Sequence, residues 1–192
     1  RRPSILPLKA VLRMTDDVGM LQHAICSVPN REHGYCIDDN ARALMLAVRR
    51  DDQQSEDLAA VYAAFLQHGW NPAMRRFRNF MGYDRNWLEP CGSEDSNGRT
   101  LWALGMAAAR SSAPGIRDWA LKLFEEAAPF ADELGAPRAK CFAAMGGLEL
   151  LSARPDHDLA GWLIEQSASQ LMHLHHRYSR DGWDWFEPEL AY

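Results

Sequence analysis

One seven-residue pattern occurs twice in this chain. DDNARAL at 38–44 and DSNGRTL at 95–101 carry aspartate, asparagine, a small residue, arginine and leucine at the same offsets, 57 residues apart. Asp38 corresponds to Asp95, Asn40 to Asn97, Ala41 to Gly98, Arg42 to Arg99 and Leu44 to Leu101. A weaker third copy, APRAKCF, keeps only Arg138 and the apolar helix. A repeat of this length fits one helical hairpin plus its loops, and stacked hairpins set equivalent residues at the same end of successive helices. The chain is therefore restricted to helical arrays that gather polar groups on one rim.

Apolar residues at helical spacing run from end to end, and strand-like alternation is rare. A first helix is predicted after Thr15 as N-cap, with Asp16 and Asp17 in its first turn, ending near Cys26. Asp38 is expected to cap a second, with Ala41, Leu44, Met45 and Val48 on one face. Ser55 caps a third, closed by Gly69. Helices follow at SNGRTLWALGMAAARS, at IRDWALKLFEEAAPFADELG with a break at Pro129, at PRAKCFAAMGGLELLSA and at DLAGWLIEQSASQLMHLHHRYS. In RFRNFMGYDRNWLEP, Phe77, Asn79, Met81 and Trp87 alternate around Gly82, which predicts a short β-hairpin near 76–88. The expected fold class is all-α. It is an array of α/α hairpins forming an open or partial (α/α)6 toroid, because 192 residues supply three to four hairpins and a closed ring needs roughly 300 residues. A single domain is expected over 1–192, and the start at Arg1 points to a piece of a longer chain.

Composition narrows the function classes. The net charge of −5 comes from 26 acids and 21 bases spread along the chain, so no basic block marks a nucleic-acid or membrane footprint. No apolar run approaches the roughly 20 residues that span a bilayer. Cys26, Cys36, Cys91 and Cys141 are widely spaced without a C-x-x-C pair, which reads as reduced thiols in a cytoplasmic protein. No nucleophile elbow, P-loop or dinucleotide fingerprint is present. In HLHH, His173 and His176 have a ligand-like spacing but no local carboxylate or cysteine, so neither a metal site nor a cofactor is expected. Histidines near a helix C-terminus are favoured by the dipole.

Two adjacent acids at a helix start point about 100° apart, so one caps and the other projects. Capping alone requires neither an asparagine two positions on nor an arginine four positions on. Carboxylates beside amide, guanidinium and aromatic groups suit a sugar, since acids accept from hydroxyls, Asn and Arg donate, and rings stack. A glycosidase needs two carboxyl groups flanking the scissile bond, and the candidates are Asp38, Asp39, Glu94 and Asp95. His33, Tyr35, Asn40, Arg42, Asn97 and Arg99 are candidate substrate contacts. Trp87, Trp183 and Trp185 are the aromatic candidates, in loop-like, acid-rich contexts, whereas Trp102, Trp119 and Trp162 fall within helices. The C-terminal DGWDWFEPELAY, with Glu187, reads as a substrate rim or as a frayed tail.

SVPNREHGYCIDDNARAL, RFRNFMGYDRNWLE, GSEDSNGRTLWALG and WDWFEPELAY together resemble a bacterial family encoded beside, or fused to, retaining glycosyltransferases of the group-1 kind. The resemblance covers nearly the whole chain and implies a carbohydrate setting without specifying a reaction. The family pattern has histidine where this chain has Asn97, and runs on past its last tyrosine into a further D-N-A-R. This sequence ends at Tyr192, so a site shared across a ring is expected to need further residues or a partner copy. DDNA opening an apolar helix is also similar to the endo-α-1,6-mannanases, which are (α/α)6 toroids. That similarity implies nucleophile and general acid/base roles for Asp38 and Asp39. The expected partners are an oligosaccharide and a glycosyltransferase domain or subunit, with a homodimer completing the array. The alternative is a non-catalytic module that binds a glycan or scaffolds a glycosyltransferase.

Overall fold

The computed structural model describes residues 7–50 and 52–189. Its helices are α1 (Lys9–Met14), α2 (Ile37–Ala47), α3 (Gln53–Gly69), α4 (Glu94–Arg110), α5 (Pro114–Ala127), α6 (Pro137–Ala153) and α7 (Asp158–Tyr178), with a 3-10 turn at Ala128–Glu133. Short strands are β1 (Leu21–Ile25), β2 (Val28–Cys36), β3 (Trp70–Asn71), β4 (Arg76–Phe77) and β5 (Phe80–Met81). The chain is mostly helical, in three consecutive helix pairs, α2/α3, α4/α5 and α6/α7. The first members of the pairs, α2, α4 and α6, also pack on one another in that order.

The central helix, α4, buries Leu101, Ala103, Leu104, Met106, Ala107 and Ala108. Its crossing with α6 depends on small residues. A Cβ on Gly105 would stand 2.1 Å from Gly146 O, and one on Gly98 would stand 2.4 Å from Ala139 O. The two backbones therefore approach more closely than any side chain would permit. Tyr62, Phe65, Leu66, Phe77, Phe124 and Phe130 fill the space between this layer and the second helices of the pairs.

The all-α expectation needs correction at the N-terminal end. No helix runs from Thr15 to Cys26. Thr15 instead closes α1 and bridges to Met20, and β1 pairs antiparallel with β2. The Asp16 carboxylate accepts from the Val18 and Gly19 amides, a local turn that competes with helix. Cys26 then takes φ 55° between the two strands. β5 adds to the end of β2 through Tyr35 and Cys36 to complete a three-stranded antiparallel sheet. Gly34, at φ 63°, lies so close to Met81 O that a Cβ would be 2.1 Å away.

The alternation at 76–88 is real, but its strands are divided between two sheets. β4 pairs back with β3, β5 joins β2, and Met81 bridges Trp87 across the Gly82 turn. Two expected caps also move. Asp52, not Ser55, caps α3 by accepting from the Ser55 amide. Gly69 is the last residue of α3 rather than a left-handed cap, and a Cβ there would strike Ile37 Cδ1 at 2.0 Å. The break at Pro129 is present as the 3-10 turn that follows α5.

Candidate functional site

The asparagines of the repeat have one structural task, performed twice. Asn40 donates to Met20 O and to Cys36 O, and its carbonyl accepts from the Met20 amide (2.8 Å). Asn97 donates to Phe77 O and Ser93 O and accepts from the Phe77 amide (2.7 Å). In each case the amide saturates the backbone of a residue twenty positions upstream and a carbonyl four positions upstream. Both side chains are buried. The structure engages both amides, expected as substrate contacts, on buried backbone and brings neither into the lining of the acidic cleft.

The first turn of α2 is not capped by Asp38. Cys36 holds the N-cap position without a side-chain bond. The Ile37 amide donates to Asn79 O and the Asp38 amide to Asn79 Oδ1. Cys36 Sγ donates to the same Oδ1 (3.1 Å), and burial pushes its thiol up to about 11. Asn79 is in turn positioned by Glu89, which accepts from the Asn79 and Phe80 amides. The Asp38 side chain is left free to turn towards arginines.

Arg42 reaches Asp38 (2.5 Å) and Asp39 (3.2 Å) on its own helix. Arg99 of α4 pairs with Asp38, and Arg138 of α6 pairs with Asp95 of α4. The acid at each helix start is thus bonded to an arginine of the next helix in the layer. Arg99 also lies 4.2 Å from the centroid of Phe142 on α6, within cation–π range. Glu94 accepts from the Gly135 and Ala136 amides (2.8 and 2.6 Å), so it serves the backbone that leads into α6. Of the four candidate acids, Asp39 alone is bonded neither to another helix nor to backbone. Burial raises its pKa above the ordinary carboxylate range, opposed mainly by Arg42.

Asp38, Asp39, Asp95, Arg42, Arg99 and Arg138 line one open cleft of about 580 Å³ at the N-terminal ends of α2, α4 and α6. Gln22, His23, Cys36, Asn79, Phe80, Ser93 and Ser96 complete its walls. His23 and His33 meet edge to face with centroids 4.8 Å apart, which sets His33 behind the lining residue. Tyr35 is buried, donates to Asp16 Oδ2 (2.7 Å), and has its hydroxyl pKa pushed up by burial and that carboxylate. Trp87 packs with Phe65 and His68. Trp183 donates to Glu187 O, and Trp185 lies against Phe186, which packs on His175 near the end of α7. None of Tyr35, Trp87, Trp183, Trp185 and Glu187 lines the cleft. These rings lie outside the cleft, Trp185 being exposed, and the cleft takes its aromatic surface from Phe80 and His23.

The residues missed from sequence are those that reach the cleft through the sheet. Gln22 and His23 are on β1, and Phe80 is on β5. The alternation at 76–88 pointed to the segment that carries Phe80, and nothing in the sequence marked Gln22 and His23. Among the described residues, no group of three or more His, Cys, Asp or Glu side chains is placed to hold a metal ion, and no helix is long and apolar enough to cross a membrane. Compared with protein-family models, with curated proteins and with solved structures, the chain matches none.

Proposed function

We propose that this cleft binds an oligosaccharide and that Asp39 is its proton-donating carboxyl. The observation that carries the reading is the division of labour among the acids. Asp38 and Asp95 are bonded to arginines of neighbouring helices and Glu94 to backbone, whereas Asp39 lines the cleft with a raised pKa and pairs only with Arg42 of its own helix. A raised pKa makes Asp39 the best placed of the four acids to give a proton to a departing glycosidic oxygen. Asp38 or Asp95, each held by guanidinium groups, supplies the negative charge that an oxocarbenium-like centre requires. Serines, Gln22 and the arginines offer donors and acceptors for sugar hydroxyls. The reaction this supports is hydrolysis of a glycosidic bond in a mannan- or glucan-type oligosaccharide, within glycan synthesis or processing in the cytoplasm. The three helix pairs are proposed to form part of an (α/α)6 toroid, with the remaining pairs supplied by further chain or by a second copy.

A second reading has its own observation. The Asp38–Arg99 and Asp95–Arg138 pairs and the two asparagine networks are also what a scaffold uses to hold helix ends together. In that case the domain serves a glycosyltransferase without turning over a glycan. Asp39→Asn separates the two. The enzyme reading expects loss of turnover of mannan or glucan oligosaccharides, with a melting midpoint no lower than wild type. Unchanged turnover in that variant would falsify the role of Asp39. Binding of the oligosaccharide without any turnover by wild type would favour the scaffold.

A further inference from the structure

Lys140 is 5% exposed. Its ammonium donates to Leu134 O and to Gln170 Oε1, and both acceptors are neutral. Among the described residues, no carboxylate forms a salt bridge with it. Glu94 and Asp132 act on it only through space. Glu94 is bonded to the Gly135 and Ala136 amides, and Asp132 accepts from Gln170 Nε2 (3.1 Å). An ammonium has three N–H groups, and the third has no acceptor among the described residues. A buried ammonium whose nearest carboxylates act only through space is costly unless a further acceptor completes its shell.

Lys140 borders a cavity of about 430 Å³ between α6 and α7, together with Gly135, Ser169, Gln170, His173 and Leu174. This cavity shares no lining residue with the acidic cleft. The Ser169 hydroxyl and the His173 ring add hydrogen-bonding groups beside the ammonium. Fixing Leu134 to Gln170 would need only a neutral donor, and although Glu94 and Asp132 favour the charge through space, neither carboxylate contacts the ammonium. We propose that this cavity binds the oxyanion group, phosphate or carboxylate, of a small ligand, with Lys140 as its counter-charge.

The test uses the whole chain labelled with 15N-lysine, titrated with inorganic phosphate or with acetate against chloride at equal ionic strength. Lys9 and Lys122 are exposed and serve as internal controls. The expected result is a saturable shift of the Lys140 ammonium resonance with at least one anion, and no saturable shift at Lys9 or Lys122. The arm that saturates at lower concentration identifies the group. Lys140→Gln keeps a donor for Leu134 and removes the charge, and by calorimetry it should bind that anion at least tenfold more weakly. The proposal is overturned if neither anion gives a saturable shift, if all the lysines shift alike, or if Lys140→Gln binds as wild type does. Should Lys140→Gln fail to fold, the wild-type titration decides alone.

Discussion

Asn40 and Asn97 each hold a polar backbone segment against a helix start, and their worth lies in what their loss would strand. Asn40→Ala leaves the Met20 amide and carbonyl and the Cys36 carbonyl without this partner. Asn97→Ala does the same to Phe77 and Ser93. Each substitution should lower stability by about 3 kcal/mol, read from urea unfolding, because unsatisfied buried groups cost more than a bond gains. Equal losses at the two positions would express their equal roles, and a loss under about 1 kcal/mol at either would contradict the burial argument. Asp39 acts in the opposite direction. Its pKa is raised in the fold, so the native state binds more protons than the unfolded chain between the ordinary and the raised value, and stability falls as pH rises through that window. Asp39→Asn removes that loss. Its melting midpoint should equal or exceed wild type at neutral pH, and the advantage should vanish below about pH 3.9, where the unfolded carboxyl is also protonated. A midpoint clearly below wild type at neutral pH would show that the Arg42 bond outweighs burial.

Helices were the legible elements, because a stripe of Leu, Ala and Met at helical spacing buries only one way. The sheet was not legible. β1 and β2 are exposed at their hairpin end, where Ile25 and Val28 face solvent, and buried only at Leu21, Gly34, Tyr35 and Cys36, so they lack the alternation that a half-buried strand displays. The cap of α2 was misread because its real partner, Asn79, lies 41 residues further on, beyond any local rule. The Asp-Asn-Arg recurrence did expose the cleft, yet it could not reveal that the asparagine serves the backbone while the arginine serves the next helix. The α4–α6 crossing was equally hidden in sequence, since glycine inside a helix reads as a weak point. Gly105→Ala and Gly146→Ala should each cost about 2 kcal/mol by forcing the helices apart, measured by denaturant unfolding. A stabilised variant would show that the crossing has room to spare.

At the scale of the molecule, Asp38–Arg99 and Asp95–Arg138 tie the alternate helices α2, α4 and α6 into one layer. The Asp38 and Arg99 side chains are 19% and 16% exposed. Arg99→Ala should therefore cost about 3 kcal/mol by leaving a half-buried carboxylate short of its partner, and adding Asp38→Asn should return part of that loss. Additive losses in the double variant would mean that the two residues are not coupled. The pairing also has a direction along the chain. Each acid is made before the arginine that receives it: Asp38 before Arg99, Asp95 before Arg138. As the polypeptide leaves the ribosome N-terminus first, Asp38 has only Arg42 of its own helix until α4 arrives, and Asp95 waits for Arg138 until α6 does. Each cross-helix pair can form only once the later helix exists, so a chain cut short between α2 and α4 would hold Asp38 on Arg42 alone.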